Sequence, residues 1–170
     1  MLESSLNPCG IPWDNCLVDD SKGDSFRVIP PLGTTKDVLL EAVLNTLAWE
    51  LRKHNHAEGP GSNRLIRLRV ALNAGEINLA GDDADGRPLE VLARLLDAPR
   101  LRQALETASA DTPLALIMSE HYYEDTVPFS SLTILKQEFE MVDVNVKEYQ
   151  ARAYLIVPTF AVRTRPAAQP

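Results

Sequence analysis

Arg64-Leu65-Ile66-Arg67-Leu68-Arg69-Val70-Ala71-Leu72-Asn73 (residues 64–73) alternates apolar and polar side chains. Ile66, Leu68, Val70 and Leu72 share one face at a period of two, while Arg67 and Arg69 share the other. That is the pattern of a strand with one face in a core. Gly75 turns the chain, and residues 76–80 read as a returning strand. Gly81-Asp82-Asp83-Ala84-Asp85-Gly86 reads as a loop. Pro88 suits the first turn of a helix, which carries Leu89, Leu92, Ala93 and Leu96 as its apolar stripe. After Asp97-Ala98-Pro99 a second helix is predicted, with Leu101, Ala104 and Leu105 facing inward.

Downstream, residues 113–118 form a short apolar run, the signature of a buried strand. Ser119 and Glu120 open a short helix that contains Tyr122 and Tyr123. Residues 139–146 and 151–157 alternate again and predict a closing hairpin around Lys147-Glu148. Upstream, residues 34–53 give the clearest helix, with a stripe of Val38, Leu39, Ala42, Val43, Leu47 and Leu51. Thr34 followed by Asp37 resembles a capping box. His54 and His56 fall at the expected helix end, where they are read as partners of its terminal carbonyls. Residues 14–20 and 25–29 flank the turn Ser21-Lys22-Gly23-Asp24 and predict another hairpin, stopped by Pro30 and Pro31. The first dozen residues are polar and read as a loop.

The chain has 170 residues, 45% hydrophobic and 24% charged, which fits one globular domain able to bury a core. We divide it into an irregular N-terminal segment at 1–13, a domain at 14–158 and a flexible tail at 159–170. A net charge of -7 repels phosphate backbones and argues against general nucleic-acid binding. Cys9 and Cys16 bracket six residues, unlike zinc or redox pairs. No apolar run has the length of a membrane span, and no secretory signal is evident. The expected setting is the cytoplasm, with reduced thiols and no membrane partner.

Three stretches, in order, resemble the class III nucleotidyl cyclase homology domain. Asp20-Ser21-Lys22-Gly23-Asp24-Ser25-Phe26 is similar to the family's hairpin turn with its Gly-Asp pair. Arg69-Val70-Ala71-Leu72-Asn73-Ala74-Gly75-Glu76-Ile77 is similar to the strand that ends in a short polar residue and glycine. Gly86-Arg87-Pro88-Leu89-Glu90-Val91-Leu92-Ala93-Arg94-Leu95-Leu96 is similar to the glycine-opened helix that carries an arginine before a leucine. The terminal hairpin fits the family's last two strands, so the resemblance spans residues 14–157. It implies an α+β fold, ferredoxin-like (βαββαβ-derived), with helices packed on one face of a sheet.

The resemblance implies further that an active member turns ATP or GTP into a cyclic nucleotide by attack of the ribose 3′ oxygen on the α-phosphate. Two magnesium or manganese ions, held by two aspartates, would assist, and an arginine would neutralise charge on the phosphate. The site would be shared across a homodimer. By this correspondence Asp24 is the candidate metal ligand and Arg94 the candidate catalytic arginine. Asn73, Glu90 and Arg94 are the candidate nucleotide contacts. Glu90 stands where the family has an asparagine, a negative group in place of a neutral amide. Asp20 stands where the base-selecting lysine belongs, with Lys22 two residues away, and Asp83 falls near the other base-selecting position. The first metal-binding aspartate would precede the hairpin, but residues 1–13 contain none. The expectation is therefore a catalytically degenerate domain acting as a regulatory or protein-interaction module. An active cyclase and a nucleotide sensor without turnover are the alternatives.

Plainer roles stand beside each of these. Asp24 suits a turn. Glu90 and Arg94 have the spacing of a helical ion pair. Asp82, Asp83 and Asp85 suit an exposed acidic loop rather than a calcium loop. Arg64, Arg67 and Arg69 suit salt bridges with the acidic surface. Tyr122 and Tyr123 suit helix packing.

Overall fold

A computed structural model describes residues 1–19, 25–59, 61–81, 83–129 and 138–158. The apolar run near residue 115 forms β6 (Leu114–Ser119), whose six residues are all buried. Its neighbour on one side is β3 (Leu68–Leu72), parallel, with Leu68 opposite Leu114 and Leu72 opposite Met118. On its other side lies β8 (Tyr149–Ile156), antiparallel, with Leu116 opposite Ile156. β7 (Glu140–Val146) completes the sheet by pairing with β8, giving the order β3-β6-β8-β7. The β7–β8 turn is Lys147-Glu148, as expected, and Lys147 takes a left-handed φ of 54°.

Burial of a central strand on both sides requires cover on both sides. Leu114, Leu116 and Met118 pack into one core cluster with Leu40, Val43, Leu44, Leu47 and Leu51. Ala115 and Ile117 pack into another with Leu95, Ala98, Leu101 and Leu105. The chain is thus an α+β domain with a four-stranded mixed sheet between two helical layers. This corrects the expectation of helices on one face. The parallel β3–β6 pair needs a crossover, supplied by α4 (Arg87–Leu96) and α5 (Pro99–Thr107), each with proline in its first turn.

The opposite layer is a long helical segment: α2 (Lys36–Glu41), a π-helical turn (Ala42–Leu47) and α3 (Ala48–Glu58). Ala42 faces a small cluster with Leu6 and Ile11, while Val43, Leu44 and Leu47 face the sheet. The wide turn lets neighbouring residues serve both directions. Two details differ from the sequence reading. The N-cap is Thr35, and the Thr34 hydroxyl donates instead to the Pro31 carbonyl at 2.8 Å. The helix also runs on to Glu58, where Gly59 at φ 80° ends it. His54 therefore lies inside α3, and its Nε2 meets the Arg64 carbonyl at 3.1 Å rather than its own helix end. Beside it, Asn55 imitates a strand partner, its Nδ2 donating to the Ile66 carbonyl and its Oδ1 accepting from the Ile66 amide.

The N-terminal residues, expected to be a loop, form α1 (Leu2–Leu6) and a 3-10 turn (Asn7–Cys9). Leu6 and Ile11 are buried. β1 (Leu17–Asp19) and β2 (Arg27–Ile29) make the expected hairpin, but as a separate two-stranded sheet. Residues 78–85 form a second small hairpin, β4 (Asn78–Ala80) with β5 (Asp83–Asp85), so the predicted return strand pairs locally and not with β3. The tail at 159–170 lies outside the described residues.

α6 (Glu120–Thr126) begins at Ser119, whose hydroxyl accepts from the Tyr122 amide. Tyr123 stacks on Tyr154 with ring centroids 3.6 Å apart. Tyr122 is buried, and its hydroxyl donates to the Lys36 carbonyl at 2.7 Å, tying α6 to α2. Burial pushes the Tyr122 hydroxyl well above its ordinary value, and the Asp37 charge adds to this. A raised value means stabilisation that is complete below about pH 10 and is lost as pH climbs, because the unfolded chain ionises first. Tyr122→Phe is expected to cost about 1 kcal/mol at neutral pH and to flatten the alkaline decline in stability. Urea unfolding from pH 8 to 11 measures both, and an equally steep decline in the variant would refute the assignment.

Candidate functional site

β3 ends at Leu72, and the residues just beyond it hold the first turn of α4, the helix that carries Glu90 and Arg94. The Asn73 side-chain amide donates to the Pro88 carbonyl at 2.9 Å. This ties the end of β3 to the first turn of α4. Gly75 lies against the same proline: a Cβ there would stand 2.5 Å from Pro88 Cγ, so glycine is required by close approach. Gly86 precedes α4 at φ 135°, a conformation natural only to glycine. These features set the first turn of α4 at the end of β3.

α4 divides its faces. Val91 and Leu95 pack into the core over the sheet. Leu89, Leu92, Ala93 and Leu96 line a cleft beside Asp19 and Arg27. Glu90 and Arg94 occupy the remaining stripe, Glu90 exposed and Arg94 half-buried. They do not form the expected helical ion pair. The ion pairs between described residues join Arg27 to Asp19, Lys36 to Asp125, Arg100 to Glu140 and Arg152 to Glu120. Asn73 is thus engaged by the backbone at the first turn of α4, while Glu90 and Arg94 lie further along that helix. Asp24, Asp20 and Lys22 lie outside the described residues.

Arg67 and Arg69 turn out to be structural braces rather than salt-bridge partners. Arg67 Nε donates to the Thr112 carbonyl at 3.0 Å, and its Nη2 donates to the Leu105 carbonyl near the end of α5. Arg69 Nη1 donates to the Leu96 carbonyl near the end of α4 at 3.2 Å. Cations at helix C-termini meet orphan carbonyls and the negative end of the dipole. The strand's polar face thereby clamps the crossover.

The sequence reading missed the Asp19–Arg27 pair. These residues sit directly opposite each other in the β1–β2 hairpin, with Arg27 Nη2 2.6 Å from Asp19 Oδ2. The hairpin register was the available signal, since opposed residues of opposite charge pair across strands. The acidic stretch near residue 83 is exposed, its Asp85 carboxylate accepting from Asn78 Nδ2.

Hard divalent cations need several carboxylate or phosphate oxygens. Among the described residues no group of three or more His, Cys, Asp or Glu side chains is placed to hold a metal ion. The donor set for the magnesium or manganese pair of a cyclase is therefore not supplied by them. Among the described residues, no helix is long and apolar enough to cross a membrane. No protein-family model, curated protein or solved structure matches the chain. What the fold defines is an α+β domain in which the residue after β3 holds the first turn of α4, while Glu90 and Arg94 lie further along that helix.

Proposed function

We propose that this chain is a catalytically inactive relative of the nucleotidyl cyclases that works as a regulatory or protein-interaction module, with a ferredoxin-like, cyclase-type sheet and a homodimer as its functional form. The carrying observation is the corner at β3 and α4. Asn73 is engaged with the Pro88 carbonyl, and the exposed Glu90 carboxylate shares a helix stripe with Arg94. A carboxylate at that position repels the ribose oxygens and phosphates that Arg94 would attract. Asp24 is the only metal-binding aspartate that the motif correspondence supplies, and one carboxylate does not hold two cations beside a triphosphate. The parallel β3–β6 crossover and the antiparallel β8 support the fold part of the reading, while the second helical layer departs from it.

Incubation of the chain with ATP or GTP and magnesium or manganese is expected to yield no cyclic nucleotide by chromatography. Turnover abolished by Arg94→Ala would overturn the proposal in favour of an active enzyme. Sedimentation is expected to show a concentration-dependent dimer, and a monomer at high concentration would remove the dimer from the reading. Calorimetric binding of a nucleotide without turnover would favour the sensor alternative, which Arg94 and the loop after Asn73 motivate.

A further inference from the structure

Among the described residues, β3 is paired only with β6 and β2 only with β1. The two open edges border one cavity of about 320 Å³. Arg27 and Val28 line it from β2, and Leu68 and Val70 line it from β3. Val43 of the π-helical turn and Leu92 of α4 line it from the two helical layers that cover the main sheet. The cavity thus has the outline of a missing sheet position: strands at its margins, apolar helices above and below.

We propose that this slot receives an extended segment of another polypeptide, apolar on both faces and carrying an acidic side chain beside Arg27, which joins the β1–β2 hairpin to the main sheet. Open edges present rows of backbone donors and acceptors that an added strand satisfies. Five residues at roughly 3.3 Å each match the length of β3. Helices on both sides call for apolar side chains on both faces of the strand. Charge selects the acid. Among the described residues, the charged side chains lining the cavity are Arg27, Arg67 and Arg69, with no carboxylate among them. Arg67 and Arg69 are occupied by carbonyls. Arg27 Nη2 bonds Asp19, but Arg27 Nε is buried without a hydrogen-bond partner. Leaving a buried donor unmade is costly, and a charge-assisted bond removes that cost. The inference is independent of the functional reading above, since it requires neither nucleotide nor homodimer.

The test fuses the strand Val-Ile-Val-Asp-Val-Ile-Val ahead of Met1 through a flexible glycine-serine linker. Leu2 and Leu6 line the same cavity, so the attachment point is adjacent. Hydrogen exchange is followed at the amides of β2, β3 and β7. Exchange in β2 and β3 is expected to slow by about tenfold or more with the acidic strand. It should return to the parent rate when the two isoleucines of the strand are replaced by proline, which removes donors. Replacing the strand's aspartate with lysine should weaken protection by about tenfold, and Arg27→Leu in the host should erase that preference. Equal exchange with the acidic and proline strands would overturn the proposal. So would protection confined to β7, the other open edge of the sheet.

Discussion

Leu116→Ala is expected to destabilise the chain by about 3–5 kcal/mol, which corresponds to a fall in melting temperature on the order of 10 °C. Leu116 lies in mid-strand in β6 with none of its surface exposed. It pairs with Val70 and Ile156 on either side and packs among the helices of the α2–α3 layer. The neighbouring strands hold the backbone in register, so the structure relaxes little around the lost methyls. Much of the cavity then remains, and its cost adds to the lost transfer energy. Leu32 supplies the control. It is 99% exposed, and Leu32→Ala is expected to change stability by no more than about 0.5 kcal/mol. Thermal unfolding of the two variants side by side measures the contrast. Similar losses in both would mean that β6 is not the centre of the core.

Arg67→Ala is expected to be the next most damaging change, at about 2–4 kcal/mol for two charge-assisted hydrogen bonds and the carbonyls they leave behind. The guanidinium bridges the Leu105 carbonyl near the end of α5 and the Thr112 carbonyl just before β6. Its removal loosens the connection that delivers β6 to the sheet. Arg67→Lys should recover only part of the loss, because a single ammonium cannot reproduce the fork. Denaturant unfolding measures the loss. Hydrogen exchange should locate it at the end of α5 and the start of β6, and full recovery by lysine would show that the positive charge alone matters.

The elements that could be read from the sequence share a physical trait: their side-chain periodicity is decided by one partner surface. Ile66, Leu68, Val70 and Leu72 meet one cluster, and the alternation announces it. Lys147-Glu148 is read as a hairpin turn because alternating residues flank it. The N-terminal helix escaped notice because its sequence is polar and carries only Leu2 and Leu6 at helical spacing. Short helices depend on tertiary contacts rather than propensity, and here Leu6 finds Ile11 and Ala42. The two-sided cover of β6 was implicit in the run from Leu114 to Met118, but the sequence does not say which helices take which face.

The candidate site divides in the same way. Gly75 and Pro88 were read as a turn and a first helical turn, but the bond that joins Asn73 to the Pro88 carbonyl spans 15 residues, and no local pattern announces it. The Glu90–Arg94 pairing was plausible from spacing alone, but surface ion pairs are weak and spacing does not compel them. Arg67 and Arg69 were assigned to salt bridges because a sequence displays charged partners and hides backbone carbonyls.

The wide turn at Ala42–Leu47 also makes the length of the long helix a matter of single residues. Each residue of an α-helix advances about 100° around its axis. A deletion that tightened this turn into regular helix would rotate α3 by about that angle relative to α2. Asn55 would then swing away from Ile66, whose amide and carbonyl it now clasps. In this stretch a change of length is therefore expected to disturb the packing of α3 more than an exposed substitution does.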